Sequence, residues 1–415
     1  MTAKRNRLDL LAEIWRKHSK GSWRDAERAL RRAILEGAFF ETTLRTLGRS
    51  AMFEHRSSFY PVMFLPDYRG PYFDEALRRL VLPRRGPMVA WLSITGVCPS
   101  RCEYCYASAG GKEASDLGDA PILAAARGLV DRGVPLINLS GGEPLSRYRR
   151  VKAVLAEIAR RSEVRLLTSG FGLDQERAAE LKSLGLALVA VSLDCDDPET
   201  FDRRRGHPQA FSAATSALRA ATSAELLTVV NCVVDGKNLR TAEEVRRFLD
   251  LVRSIDAEIF VNFVPKFALG RAKGQGFASV EQYLPLSAII AEVIERDGAR
   301  ASIYRQPLEV FMGCVGAGGK NISVDTRGNI AVCISDTALG NIAQEPFDAL
   351  YRRYVEATGT LSQGFFCAHA ATQHEQTLDG SSTEAALRSF EKAHSPARYQ
   401  RLLNRFEPAL AWLAR

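Results

Sequence analysis

Three of the chain's eight cysteines fall within one short stretch, Cys98-Pro99-Ser100-Arg101-Cys102-Glu103-Tyr104-Cys105. Thiols in this C-x3-C-x2-C spacing can converge on three corners of an iron-sulfur cubane, because thiolates are the ligands such centres prefer. One iron would then keep an open position. A structural zinc site is the competing assignment, but it normally takes four protein ligands, and no further Cys or His lies near this loop. A second constellation is Leu139-Ser140-Gly141-Gly142-Glu143-Pro144, where adjacent glycines let the backbone approach a ligand and Glu143 offers an acceptor for an ammonium group. A third runs Val191-Ser192-Leu193-Asp194 and continues through Phe201-Asp202-Arg203-Arg204-Arg205-Gly206. Asn231, Asn262 and Lys266 interrupt otherwise apolar runs.

The elements that must carry these groups alternate. From Met88 onward, strand-length apolar runs at 88–95, 136–139, 164–168, 187–193, 226–234 and 258–264 are separated by helix-length segments, for example 121–132, 173–184, 208–222 and 241–254. Thr241 and Glu244 form a capping signal for the last of these. Six βα units follow, which predicts a parallel sheet of the TIM type, here a partial (βα)6 barrel, with ligands at the C-terminal strand ends. The cysteine loop, the Gly-Gly-Glu turn and Ser192 fall at such ends. Inward-facing polar residues there line a site, so Asn231, Asn262 and Lys266 are candidate substrate or cofactor contacts.

Before this region, residues 1–87 read as helical, with Leu8, Leu11 and Trp15 at helical spacing and a Pro/Gly-rich connection at 60–87. The barrel is expected over 88–300. A small separate cysteine-bearing module is expected over 301–380, with a hairpin from Ile322 to Val332 turning at Thr326-Arg327-Gly328-Asn329. A helical tail completes the chain over 381–415.

The cysteine spacing, the aromatic Tyr104 before the last cysteine and the place after the first barrel strand resemble the signature of the radical S-adenosylmethionine (radical SAM) superfamily. That resemblance implies a 4Fe-4S cluster on Cys98, Cys102 and Cys105, with SAM chelated by the open iron and cleaved to a 5'-deoxyadenosyl radical. Gly141, Gly142 and Glu143 match the family's GGE motif, which contacts the SAM methionine amine. Ser192 and Arg205 match its S-L-D and D-R-x-R-G segments and are implied for the ribose and carboxylate of SAM. Their competing roles are a helix N-cap for Ser192 and a surface ion pair for Arg205. Tyr104 and Asn231 join the implied cofactor-binding set. Relatives usually carry Gly where this chain has Cys195, and Cys195 and Cys232 read instead as buried small hydrophobes. The C-terminal set, Cys314, Cys333 and Cys367 with a trailing Gly340-Asn341-Ile342, resembles a twitch or degenerate SPASM domain and implies an auxiliary 4Fe-4S cluster, the alternative being a vestigial module with free thiols.

Charge and composition narrow the partners. Residues 1–50 hold 12 Lys/Arg against 6 Asp/Glu, so they supply +6 of the +8 net charge and the body is nearly neutral. The basic segment could attract an anionic lipid surface or an acidic partner, or simply form a solvated helical face; no nucleic-acid partner is expected. The chain lacks a signal-like apolar start or a bilayer-length apolar run, so a cytoplasmic place is expected, with peripheral membrane contact through the N-terminal helices. The expected activity is hydrogen abstraction from a small natural product or lipid, fed by a low-potential donor such as flavodoxin or ferredoxin. Modification of a peptide or protein side chain is the alternative, and a non-enzymatic iron-sulfur or zinc scaffold has no need of the GGE and S-L-D positions.

Overall fold

In the computed structural model, the residues described are 52–55, 58–61, 66–67, 70–73, 75–76, 79, 86–110, 116–266, 269–272, 280–303, 319–332 and 338–360. The expected N-terminal helices before residue 52, the tail after residue 360, and Cys314, Cys333 and Cys367 lie outside them. A short hairpin, β1 (Met52–His55) with β2 (Ser58–Pro61), precedes the main sheet.

Ten strands form that sheet, in the order β12-β11-β10-β3-β4-β5-β6-β7-β8-β9. Its centre is β3 (Val89–Thr95), β4 (Leu136–Gly141), β5 (Glu163–Thr168), β6 (Leu186–Ser192), β7 (Leu227–Val234) and β8 (Phe260–Pro265), each parallel to the next. These six match the six expected runs closely. A further parallel strand, β9 (Ala301–Ile303), extends the series where the alternation was expected to stop. Helices fill the crossovers: α1 (Asp119–Asp131), α2 (Tyr148–Ile158), α3 (Gln175–Ser183), α4 (Pro198–Arg205), α5 (Ala210–Ser223), α6 (Ala242–Ile255) and α7 (Val280–Asp297). In α6 the apolar positions Val245, Phe248, Leu249 and Val252 recur at helical spacing and are buried, and Thr241 Oγ1 caps the Glu244 N–H.

Strand alternation divides the sheet into two faces. Ala90, Leu92, Ile94, Ile137, Leu139, Val189, Val191, Val230, Cys232, Val261 and Phe263 belong to one core with buried residues of the helices, such as Ile122, Leu129, Val154 and Phe248. The opposite face holds a small apolar patch of Leu188, Ala190, Leu227, Val229 and Phe260, with Leu167 against it. Nearer the C-terminal strand ends that face turns polar: Ser192, Asn231, Asn262 and Ser302 stand in register across four neighbouring strands. Asn262 donates to Asn231 at 3.1 Å and Ser302 to Asn262 at 3.3 Å.

The hairpin expected at 322–332 forms as β10 (Asn321–Val324) and β11 (Asn329–Ala331), and Asp325 Oδ1 accepts the N–H groups of Arg327 and Asn329 at its turn. Rather than standing apart, β10 lies parallel against β3 and continues the barrel sheet, with β12 (Gly340–Asn341) at the edge. α8 (Phe347–Thr360) then packs on α1, where Gly128 makes room for the Phe347 ring. No described helix is long and apolar enough to cross a membrane.

Candidate active site

The cysteine loop leaves β3 and is held by backbone on three sides. The turn after β4 holds its start: Gly142 N–H donates to the Thr95 carbonyl at 2.7 Å and Glu143 N–H to the Val97 carbonyl at 2.8 Å. The end of α4 holds its middle, since Arg101 N–H and Glu103 N–H donate to the carbonyls of Arg205 and Arg204. The turn at Gly270–Ala272 holds its end, with Arg271 N–H on the Cys105 carbonyl and Arg271 Nε on the Cys102 carbonyl at 2.8 Å. Cys102 is buried, and Cys98 and Cys105 are half-buried. The close approach that Gly142 permits is therefore to the protein's own loop: a Cβ there would lie 2.3 Å from the Val97 carbonyl oxygen.

Glu143 is fully buried, and both its oxygens are used within the protein. Oε1 accepts the Leu145 N–H at 3.0 Å and the Thr168 hydroxyl at 2.7 Å; Oε2 accepts the Ser169 N–H at 2.7 Å and the Ser169 hydroxyl. Burial pushes its carboxyl up from the ordinary range, against the pull of these four donors. The acceptor expected for an ammonium ion is thus turned onto the Thr168-Ser169-Gly170 loop, with two donors on each oxygen.

Tyr104, Asp194 and Arg205 form a second buried network. Tyr104 donates its hydroxyl to Asp194 Oδ2, and Arg205 Nη2 reaches the same oxygen at 2.6 Å. Val233 N–H satisfies Asp194 Oδ1 at 2.7 Å, and Asn238 Nδ2 donates to the Asp194 carbonyl. The guanidinium of Arg205 also places Nη1 3.7 Å from Cys102 Sγ. The surface ion pair considered for Arg205 is in fact a buried one, because α4 ends beneath the cysteine loop. Neither does Ser192 cap a helix: Asp197 caps α4, while Ser192 stands half-buried at the end of β6, level with Asn231. Cys195 and Cys232 are buried as expected, with Cys232 in the helix-side core.

Beside this lies a charged group that single-residue reasoning did not assemble. Arg204 pairs with Asp235 at 3.1 Å, Lys266 approaches Asp235 at 3.4 Å, and the Arg204 guanidinium lies 5.1 Å from the Tyr104 ring centroid. Burial alone would raise the Asp235 carboxyl, but Arg204, the Lys237 N–H and Lys266 hold it below the ordinary carboxylate range. The signal available was the middle arginine of Arg203-Arg204-Arg205 and the Asp235-Gly236 turn after β7.

Residues 92–249 match the Radical SAM superfamily. Over that stretch the chain carries a radical SAM domain. It is 26% identical over 254 residues to the PqqA peptide cyclase of Methylocella silvestris, covering 60% of this chain and 68% of that one. It is 25% identical over 297 residues to the AdoMet-dependent heme synthase of Methanosarcina barkeri, covering 64% and 81%. Among solved structures it resembles Streptococcus suis SuiB bound to S-adenosylmethionine, at 15% identity and a TM-score of 0.54, covering 65% of this chain and 66% of that one. The radical SAM chain is an enzyme, and its family's cofactors are a 4Fe-4S cluster and SAM.

Three free thiols on one loop, one buried and two half-buried, are the donor type that such a cluster takes. Burial, with the nearby Glu143 carboxylate and the Cys102 and Cys105 thiols, pushes the Cys98 thiol up to about 12, against the lowering effect of a hydrogen bond from the Ser100 backbone. Among the described residues no three His, Cys, Asp or Glu side chains form a closed metal-binding group, so the three thiols are neighbours on the loop rather than a preassembled set.

Proposed function

We propose that Cys98, Cys102 and Cys105 hold the 4Fe-4S cluster and that SAM lies over the C-terminal ends of β4 to β7, within reach of Gly141, Gly142, Ser192, Arg205 and Asn231. The carrying observation is the loop held by three elements at the end of β3, with Arg205 against Cys102. When bound, the cluster supplies the electron that splits SAM into methionine and a 5'-deoxyadenosyl radical, which takes a hydrogen atom from the substrate to give 5'-deoxyadenosine.

The chain's own residues prepare that event. Glu143 fixes the Thr168-Ser169 loop beside the Gly141-Gly142 turn, so that two backbone segments face SAM without a mobile side chain between them. Tyr104 fixes Asp194, and Asp194 fixes Arg205. The apolar patch of Leu188, Ala190, Leu227, Val229 and Phe260 keeps water from the deeper part of the sheet's inner face, which protects a reactive radical. Above it, the register of Ser192, Asn231, Asn262 and Ser302 presents neutral amides and hydroxyls to SAM and substrate.

The substrate we favour is a peptide side chain. Support comes from the likeness to a PqqA peptide cyclase and to SuiB, which has been solved bound to its precursor peptide SuiA. A small natural product or lipid, expected from the sequence, is the second reading, favoured by the likeness to a heme synthase. Cys314, Cys333 and Cys367 would bind an auxiliary 4Fe-4S cluster, as SPASM-type relatives typically do. Flavodoxin or ferredoxin would supply the electron, and the basic N-terminal segment would touch an anionic surface.

Anaerobically reconstituted protein should bind iron and sulfide and, once reduced with SAM, yield 5'-deoxyadenosine. The Cys98/Cys102/Cys105→Ala variant should lose the product. Formation at the wild-type rate would overturn the assignment. Peptides encoded beside the gene, incubated with the reduced enzyme, should change mass; unchanged peptides together with conversion of a small molecule would favour the second reading.

A further inference from the structure

Arg205 meets three different surroundings through one buried guanidinium. Nη1 lies 3.7 Å from Cys102 Sγ, Nη2 donates to Asp194 Oδ2 at 2.6 Å, and Nε has no hydrogen-bond partner among the described residues. The rings of Phe201 and Tyr104 flank the cation at 5.0 and 5.3 Å from its central carbon, which keeps water from it. Backbone ties the same parts together: the Arg205 carbonyl accepts from Arg101 N–H, one residue before Cys102. Thiol and guanidinium are therefore held by one clasp.

We infer, resting on the assignment of the cluster to Cys98, Cys102 and Cys105, that Arg205 is a positioning residue that sets the cluster's reduction potential. Local charge and hydrogen bonds to ligand sulfurs are levers on iron-sulfur potentials, and charges buried away from water are little screened. A cation donating to the Cys102 sulfur favours the reduced state, which carries one more negative charge. Asp194 acts in the opposite sense, by neutralising part of that cation and holding it in place. The sequence resemblance gave Arg205 to the SAM carboxylate; the geometry gives it a role that exists before SAM binds. The two roles separate experimentally, because only the second acts on the cluster alone.

The test is an EPR-monitored redox titration, without SAM, of the reconstituted full chain as wild type, Arg205→Gln, Asp194→Asn and the double variant. Arg205→Gln should become harder to reduce by tenfold or more in the equilibrium constant, a shift of about 59 mV to more negative potential for one electron. Asp194→Asn should move the potential the other way, and the double variant should fall between the two single ones. Opposite shifts are the signature that a merely structural role would not give. Potentials equal to wild type, or both single variants moving in the same direction, would overturn the inference. If Arg205→Gln fails to hold iron, Asp194→Asn still decides, since an unshifted or lowered potential there is enough to sink it. A wild type whose iron content matches that of the Cys98/Cys102/Cys105→Ala variant would instead bring down the underlying cluster assignment.

Discussion

Replacing Glu143 with alanine should unfold the barrel more easily even in metal-free protein without SAM. Its carboxylate receives four hydrogen bonds, from Leu145 N–H, Thr168 Oγ1, Ser169 N–H and Ser169 Oγ. Leu145 and Thr168 are buried, so their two donors would be orphaned, whereas the half-buried Ser169 can turn to water. At ~1–3 kcal/mol for each buried group left unsatisfied, the cost is ~2–6 kcal/mol. That is a large part of the ~5–15 kcal/mol that a folded domain has in total. Because burial already raises the Glu143 carboxyl, its charge adds little that alanine would forfeit; the loss comes from the orphaned donors. Urea unfolding followed by circular dichroism should show the midpoint of Glu143→Ala falling, and a Thr168→Val variant should lose part of the same energy non-additively. A Glu143→Ala midpoint within ~0.5 kcal/mol of wild type, combined with SAM affinity weakened tenfold or more, would refute this and return the carboxylate to the SAM ammonium.

Gly142→Ala should cost ~1–3 kcal/mol through overpacking and reduce iron retention, because the added Cβ would press on the Val97 carbonyl; iron analysis after gel filtration reads the second effect. Gly270→Ala should do the same at the other end of the loop, where a Cβ would lie 2.3 Å from the carbonyl oxygens of both Cys105 and Tyr106. The depressed Asp235 carboxyl gives stability that is present above the unfolded carboxylate pKa of ~3.9 and is lost as pH falls through the lower folded value. Asp235→Asn should therefore be less stable than wild type at pH 7, with the gap closing in acid; urea midpoints measured from pH 7 to pH 3 would check the sign. The Cys314/Cys333/Cys367→Ala variant should lose about four irons per chain if the auxiliary centre is a cubane, while retaining part of its SAM cleavage.

The barrel strands, and the places of the three motifs at their ends, were legible because each is local. Periodicity over six to eight residues marks a strand, and a thiol triplet within one loop marks a soft-metal site. What was not legible is which side chains the motifs face. Glu143 is 25 and 26 residues from Thr168 and Ser169, and Arg205 is 103 residues from Cys102, so these pairs exist only once β4 lies beside β5 and α4 returns under the β3 loop. The match to the family's GGE and D-R-x-R-G segments implied SAM contacts for Glu143 and Arg205; the fold gives each a protein partner first. The pairing of β10 with β3 was hidden for the same reason, since its 232-residue separation leaves no periodic trace.

On the proposed assignment, a cluster bound by only three cysteines would need those cysteines held by something other than a fourth ligand. Here the holding elements are the turn after β4, the end of α4 and the Gly270 turn, and they act mainly through backbone hydrogen bonds, which lose no side-chain entropy on ordering. Side chains enter where charge is needed, at Arg205 against Cys102 and at Arg271 on the Cys102 carbonyl. The division has a functional consequence. Backbone clasps fix the loop without calling on particular side chains, so the residues around it can differ between relatives that share the barrel. Similarity to a peptide cyclase and to a heme synthase at about a quarter identity is then what such an arrangement allows. Under the proposed function, substrate choice would rest on the inner-face groups Asn231, Asn262 and Ser302 rather than on the loop itself.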